Sequence, residues 1–287
     1  MRIAFLGLGQ IGGSVARAVR ARGAGAELIA WSPTGDGPRQ AHAEGVIDVV
    51  AASPREAVAP ADLVVLAAPA DEVVALVRRL GRGGDLSPSL DADATVTDVA
   101  SSKGAIVAAA DRVDLAFVGG HPMAGNEGAG FVAGSADLFA GRPWVVVPAA
   151  RARSGDTERV EWLARTVGAA PLRARASEHD EAVAAISHGP LVLAVALAEA
   201  VAGRPDWAGS LAARLAGGGW ASMTRLGHGD PSMGAGLLVT NGAATAETLR
   251  RVREELDDWI RTLEPETRPS AAEVRDRLAR VRARLEQ

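Results

Sequence analysis

A glycine-rich segment near the N-terminus is the first group of residues suited to chemistry. The run GLGQIG follows an apolar stretch and opens a helical pattern. In that context the first glycine permits a tight turn, the second lets the backbone approach a pyrophosphate, and the third lets helix and strand pack closely. The free amides at the helix start then bind the anion. We predict a dinucleotide site formed by Gly7, Leu8, Gly9, Gln10, Ile11 and Gly12.

The residue at the end of the second predicted strand indicates whether the cofactor is NAD or NADP. An acidic residue about 20 positions after the glycine motif hydrogen-bonds the 2′-hydroxyl of NAD. Ser32 occupies that position here, and Asp36 is the nearest carboxylate beyond it. Because Ser32, Thr34 and Arg39 offer donors to a 2′-phosphate, the sequence favours NADP, while NAD stays open.

Two further segments should line the nicotinamide side, because ligands of open α/β sheets bind at the carboxyl ends of strands. Ala68 and Pro69 end one predicted strand, and Asp98 ends the next. Lys103 is the single lysine among 31 basic residues, and it opens a helix, where a cation is electrostatically disfavoured. We therefore expect Asp98 and Lys103 at the cofactor, the alternative being a surface lysine kept by chance.

His121 is the residue best placed for acid–base work. It lies between a glycine pair and a proline, directly after a predicted strand. An imidazole titrates near neutral pH and can accept a proton from a reacting group. For a lone histidine, a buried structural role would be the competing interpretation.

The elements that position these residues alternate between strand and helix in the first half of the chain. Apolar runs at 2–6, 28–31, 63–68, 95–99, 116–119 and 144–147 predict strands. Helical patterns lie between them, which predicts a mostly parallel sheet with helices on both faces. After residue 148 the pattern is helical, apart from a short strand near 171–173. We predict an α/β Rossmann domain over 1–150 and an all-α dimerisation domain over 151–287.

Composition limits the functional classes. The chain has 287 residues, 48% hydrophobic and 23% charged, a net charge of −4 and no cysteine. Without cysteine there are no disulfides, thiolate nucleophiles or Cys-type metal sites, and we expect no metal. The net negative charge argues against a nucleic-acid partner. No apolar run reaches the ~18 residues of a membrane span and no signal peptide is evident, so we expect a soluble cytoplasmic protein without a membrane partner.

Nine short runs carry a resemblance to a known family. They are GLGQIGGS (7–14), DVASSK (98–103), FVGGHPMAG (117–125), LFAGRPW (138–144), EHD (178–180), ISH (186–188), GGGW (217–220), MTR (223–225) and GDPSM (229–233). Their order and spacing closely resemble those of the prephenate/arogenate dehydrogenases of tyrosine biosynthesis. The resemblance extends over roughly residues 1 to 260, and several motifs together are far more specific than one glycine motif.

The resemblance implies an oxidative decarboxylation of a small cyclohexadienyl substrate. Hydride leaves C4 for the nicotinamide, the C4 hydroxyl gives up its proton, and carbon dioxide leaves C1 as the ring becomes aromatic. Prephenate would give 4-hydroxyphenylpyruvate, and arogenate would give tyrosine. The resemblance also implies a homodimer, and the alanine-rich apolar pattern at 178–202 independently suggests packing against a second copy.

The resemblance assigns roles to individual residues of this chain. His121 would accept the proton of the C4 hydroxyl, and Ser101 would orient the hydroxyl or the imidazole. Arg225 would hold a substrate carboxylate, for which a planar guanidinium is suited. The remaining substrate contacts would be Asn126, Glu127, His179 and Ser187, with Glu127 closing the pocket.

Three positions depart from the family pattern. Leu191 stands where family members often have histidine, Gly234 where they often have tryptophan, and Ser222 where they often have an acidic residue. Because these positions lie at the side-chain end of the substrate in the family, arogenate or a 4-amino analogue from a secondary pathway becomes an alternative to prephenate. A related reductase is disfavoured, since no lysine follows Lys103. A non-catalytic NAD(P)-binding sensor is the alternative from another class.

Overall fold

The computed structural model describes residues 1–125, 128–264, 266 and 268–286. The chain divides into two compact units, residues 1–245 and 246–287.

The first unit is built on one eight-stranded sheet. Its strands are β1 (Arg2–Leu6), β2 (Glu27–Trp31), β3 (Val49–Val50), β4 (Leu63–Leu66), β5 (Thr95–Asp98), β6 (Phe117–Pro122), β7 (Pro143–Pro148) and β8 (Ala170–Arg173). Their order across the sheet is β3-β2-β1-β4-β5-β6-β7-β8. Strands β6 and β7 pair antiparallel and the other neighbours pair parallel. The strand order reverses between β1 and β4, which creates the crevice where such sheets bind ligands.

Helices cover both faces of this sheet and form the rest of the chain. They are α1 (Gln10–Ala21), α2 (Asp36–Ala43), α3 (Pro54–Val58), α4 (Ala70–Leu80), α5 (Gly104–Arg112), α6 (Ser154–Thr166), α7 (Ala176–Val183), α8 (Gly189–Ala202), α9 (Leu211–Leu215), α10 (Gly218–Thr224), α11 (Pro231–Thr240), α12 (Gly242–Leu263) and α13 (Ala271–Leu285). All four residues of β4 are buried, as expected for a parallel strand covered on both faces.

The sheet continues past the predicted domain boundary. Strand β8, expected near 171–173, pairs parallel with β7, and its Leu172 lies opposite Val145. Helix α6 buries Val160 and Leu163 in the same apolar cluster as Trp144. The boundary at 150/151 stays a prediction, and within the described part of the chain no strand follows Arg173.

The long apolar helix changes to a π-helical turn just before its proline. Helix α7 passes into a π-helical turn, Ala184–His188, and Pro190 lies in the first turn of α8. Proline cannot donate a backbone hydrogen bond and its ring crowds the preceding turn, so a widened turn relieves the clash.

The same stretch corrects one sequence expectation. Residues Ala176–Ala202 form 27 helical residues that contain an 18-residue window with a mean hydropathy of 1.7, long and apolar enough to cross a membrane by those criteria alone. The sequence pattern predicts no apolar segment of membrane-spanning length, because polar residues break the apolar run. A core or interface helix of a soluble protein meets the same criteria, so this feature does not by itself assign a membrane.

In the second unit, α13 packs on the C-terminal part of α12. The guanidinium of Arg277 lies 3.9 Å from the ring centre of Trp259. It also pairs with Asp258 at 2.6 Å. An arginine stem over an aromatic face, with its charge paired, joins the two helices.

Candidate active site

The glycine loop after β1 has the geometry a nucleotide requires. Gly7 has a φ of +94°, and a Cβ there would lie 2.3 Å from the carbonyl oxygen of Ala67. A Cβ at Gly12 would lie 2.7 Å from the Cβ of Ala67. At Gly9, by contrast, a Cβ would meet no atom within 4 Å. The first and third glycines thus serve close packing of the chain, while the second faces open space.

The start of α1 has the features of an anion-binding helix N-terminus. Gly9 caps the helix without a side-chain hydrogen bond, and the first turn contains no acidic residue. The first amides of a helix have no partner within it and carry partial positive charge. Together with the space above Gly9, this end of the helix fits the pyrophosphate of a dinucleotide.

The loop after β2 gathers the residues predicted at the ribose. The Ser32 hydroxyl accepts the amide of Gly35 at 3.1 Å. Arg39 donates to the carbonyl of Thr34 at 3.0 Å and pairs with Asp36 at 2.7 Å. Arg39 is therefore near the predicted position, but its charge is already paired with the carboxylate of Asp36.

Asp98 and Lys103 form a buried ion pair. Both side chains have no exposed surface, and the Asp98 carboxylate also accepts the amides of Ala100 and Gly120, each at 3.0 Å. Burial lowers the pKa of Lys103 and raises that of Asp98, and their mutual attraction opposes both shifts. The pair ties the end of β5 to β6. In this conformation neither side chain reaches a surface where it could touch the predicted cofactor.

His121 lies in β6, opposite Val145 of β7, and is 9% exposed. Its Nδ1 is 2.8 Å from Nε2 of His179, and the two rings meet edge to face at 75°. Burial lowers the pKa of His121 well below 6.5, and electrostatic interactions with His179, Lys103 and His188 lower it further. The imidazole is therefore neutral at physiological pH, the state that a proton acceptor needs.

Behind the two histidines lies Asp180. Its Oδ1 accepts from Nδ1 of His179 at 2.8 Å and from the amide of Lys103 at 2.7 Å. Its Oδ2 accepts the amide of Gly104 at 2.8 Å. Helix α7 is thereby held to the first turn of α5, whose partial positive charge attracts the carboxylate.

Asn241 also hydrogen-bonds the turn of α7 that contains Asp180. Its side-chain amide donates to the backbone carbonyl of Asp180 at 2.9 Å and lies 3.1 Å from Nδ1 of His188. Among the described residues, Nε2 of the buried His188 has no hydrogen-bond partner. Since Asn241 donates at Nδ1, the proton of neutral His188 lies on Nε2.

The other predicted site residues lie in several places. Ser101 is half-buried between β5 and α5, Ser187 is exposed on the π-helical turn, and Arg225 is exposed at the start of a 3₁₀ turn, Arg225–His228, that packs on α8. Ala68 is half-buried and Pro69 caps the start of α4. Asn126 and Glu127 lie outside the described residues. The structure brings His121 and His179 into contact, and the roles of the others stay predictions.

Two of the positions that depart from the family pattern are neighbours. A Cβ at Gly234 would lie 3.8 Å from Cδ2 of Leu191. The side chain nearest to this glycine is therefore apolar.

Sequence reasoning missed two members of the buried network. Asp180 was overlooked although it directly follows His179, a spacing that suits a histidine–carboxylate contact. Asn241 is one of only two asparagines in the chain, and that scarcity was the available signal.

Family models match nearly the whole chain. Residues 15–172 match the nucleotide-binding domain of prephenate dehydrogenase, and residues 175–279 match its dimerization domain. The chain belongs to the prephenate dehydrogenase family. The resemblance seen in the sequence motifs is thereby confirmed, and so is the predicted fold class of a Rossmann domain followed by a helical dimerisation domain.

Individual family members are similar over most of this chain. The prephenate dehydrogenase of Bacillus subtilis is 29% identical over 265 residues, which cover 91% of this chain and 68% of that protein. The solved arogenate dehydrogenase of Synechocystis is 28% identical, with a TM-score of 0.79 over 99% of this chain and all of that one. The A. aeolicus prephenate dehydrogenase solved with hydroxyphenyl propionate and NAD+ shares the fold, with a TM-score of 0.85 at 24% identity over 99% of this chain and 98% of that one.

Proposed function

We propose that this chain catalyses the oxidative decarboxylation of prephenate or arogenate, with hydride transfer to a nicotinamide cofactor. The observation that carries the proposal is a buried, neutral His121 at the same end of the sheet as an open glycine loop. Strands β1, β4, β5 and β6 run parallel, so the loop after β1 and the end of β6 both lie at the carboxyl ends of the strands.

The residues of the chain position the substrate and handle one proton. When bound, the nicotinamide accepts the hydride from C4. Nε2 of His121 takes the proton of the C4 hydroxyl, with Ser101 orienting the hydroxyl, and Arg225 holds a carboxylate of the substrate. Loss of carbon dioxide from C1 then returns electrons to the ring, and the resulting phenolate recovers the proton from His121. Aromatisation drives the reaction, so orientation is the main task of the protein.

NADP is the preferred cofactor in this proposal. Ser32, Thr34 and Arg39 surround the position where a 2′-phosphate would bind, and no carboxylate takes the place that NAD-specific sites give to one. The pairing of Arg39 with Asp36 weakens the preference, because a phosphate must compete with that carboxylate.

Arogenate stays an alternative to prephenate at the side-chain end. The side chain nearest to Gly234 is that of Leu191, which offers no polar partner to a keto acid. Neither the 4-amino analogue nor a non-catalytic sensor is favoured, since the matched relatives are named for prephenate and arogenate. We further propose a cytoplasmic homodimer formed through the helical domain, which exposes Ile186, Val195 and Val239.

The test is turnover of purified protein with each substrate and each cofactor, followed by NAD(P)H absorbance and by chromatography of the product. Formation of tyrosine from arogenate or 4-hydroxyphenylpyruvate from prephenate, with an equal amount of reduced cofactor, supports the proposal. Absence of reduced cofactor in all four combinations contradicts it.

A further inference from the structure

The carboxylate of Asp180 has the contacts of an ionised group. It accepts three hydrogen bonds, from Nδ1 of His179 and from the amides of Lys103 and Gly104. Burial acts to raise the pKa of Asp180, but these hydrogen bonds outweigh it and hold the pKa below its usual value. An ionised carboxylate has no proton to donate, so the hydrogen on the 2.8 Å contact with His179 belongs to Nδ1 of that ring.

The contact between Asp180 and His179 determines where the proton lies in the contact between His179 and His121. With a single N–H, placed on Nδ1, the ring of His179 has Nε2 left as an acceptor. The 2.8 Å contact between the rings then needs its proton on Nδ1 of His121. The reverse arrangement would set the lone pair of His179 Nδ1 against a carboxylate oxygen, which is repulsive at that distance. Because His121 is also neutral, its Nε2 carries the unprotonated lone pair.

The two groups behind His121 are held firmly in place. Asp180 is fixed at its carboxylate by the first turn of α5 and at its backbone carbonyl by Asn241. The side chain of His179 has 1% of its surface exposed, so water does not compete for its ring nitrogens. Partners that are themselves fixed by hydrogen bonds hold an imidazole in one orientation better than mobile ones.

We infer that Asp180 and His179 are positioning residues that fix the tautomer of His121, so that Nε2 of His121 faces the substrate as the proton acceptor. This rests on the proposed function of His121. It gives His179 a role through His121 in place of the substrate contact suggested by the sequence resemblance.

The first test reads the tautomer directly and needs no substrate. The five histidines are labelled with ¹⁵N, and long-range ¹H–¹⁵N correlation spectra assign each ring nitrogen as protonated or not. His121→Gln and His179→Gln identify the two resonances, and the exposed His42→Gln serves as the control for assignment. We expect a proton on Nδ1 of both His121 and His179 at neutral pH. A proton on Nε2 of His121, or a doubly protonated His179, overturns the inference.

The second test separates positioning from a structural role. His179→Phe keeps an aromatic ring but removes the acceptor, whereas the side-chain oxygen of His179→Gln can still accept from Nδ1 of His121. We expect His179→Phe to lose on the order of 10²-fold in kcat with KM within about threefold, as misplacing a general base does. His179→Gln recovers a large part of that loss. Equal kcat values for wild type and His179→Phe, with the tautomer of His121 unchanged, contradict the inference.

The two tests distinguish failure of this inference from failure of the proposed function. If neither substrate is turned over but Nδ1 of His121 is protonated, the proposed reaction is wrong and the positioning of His121 stands. If turnover is normal and His121 carries its proton on Nε2, the reaction stands and the positioning role is wrong.

Discussion

The carboxylate of Asp180 accepts the backbone amide of Lys103 at 2.7 Å, which fastens helix α7 to the first turn of α5. The same carboxylate accepts from His179, and His179 contacts His121. The side chain of Asp180 therefore links the start of α5 to His121 of β6. The start of α5 includes Lys103, whose side chain pairs with Asp98. The geometry of the proposed proton acceptor depends on two helices as well as on its own strand.

The pH dependence of kcat/KM should report the low pKa of His121. Only neutral His121 accepts a proton, so activity is lost as pH falls through its pKa. Burial, with electrostatic interactions from His179, Lys103 and His188, places that pKa well below 6.5. We expect kcat/KM to be constant from about pH 8 to about pH 6.5 and to fall only under more acidic conditions. An acid limb centred at or above pH 6.5, measured at constant ionic strength, would contradict this placement.

The buried pair of Asp98 and Lys103 should be costly to break. Lys103→Met leaves the Asp98 carboxylate buried without its cation, which typically costs about 3–5 kcal/mol in the free energy of unfolding. The matched control is Arg250→Ala, which breaks the exposed pair with Glu247 and should cost at most ~1 kcal/mol. Urea denaturation measures both. Equal losses in the free energy of unfolding for the two variants would show that burial does not make the Asp98–Lys103 pair more costly to break than an exposed pair.

The glycine loop yields a pair of contrasting substitutions. A Cβ at Gly12 meets Ala67 at 2.7 Å, so Gly12→Ala should destabilise the fold by about 1–3 kcal/mol. A Cβ at Gly9 meets no atom, so Gly9→Ala should leave Tm nearly unchanged while it weakens cofactor binding. Calorimetry gives both Tm and cofactor affinity. Unchanged cofactor affinity in Gly9→Ala would remove the proposed pyrophosphate site from this loop.

Cofactor choice should respond to Arg39 and to its partner Asp36. Arg39→Ala is expected to lower kcat/KM for NADP by about tenfold and to leave the value for NAD within about twofold. Asp36→Asn frees the guanidinium and should raise the NADP to NAD ratio. The NAD rate of each variant is the internal control. A parallel fall with both cofactors in Arg39→Ala would argue that no 2′-phosphate lies there.

Much of the fold followed from the sequence because apolar periodicity and glycine chemistry act locally. Seven of the eight strands, including the short one near 171–173, were expected, and the structure contains each of them; the two-residue strand β3 (Val49–Val50) was not expected. The antiparallel pairing of β6 with β7 has no local signal, because register and direction depend on partners distant in the chain.

The site was less predictable than the fold. His121 was found because its neighbours Gly120 and Pro122 mark a strand end, and because several motifs agree with one family. The opposite held for Asp180 and Asn241, because their importance arises from contacts distant in the chain. Asp180 accepts the amide of Lys103, 77 positions away, and Asn241 donates to the carbonyl of Asp180, 61 positions away. Lys103 was singled out by its rarity, but the sequence did not show that its amine is buried against Asp98.

The most direct test of the account is steady-state kinetics of His121→Asn beside wild type, with arogenate and prephenate and both cofactors. Asparagine can still hydrogen-bond the substrate but cannot accept its proton. We predict that kcat falls by about 10²–10⁴ with each substrate that wild type uses, while binding of the nicotinamide cofactor is retained. A His121→Asn enzyme with a kcat close to that of wild type would show that His121 is not the proton acceptor.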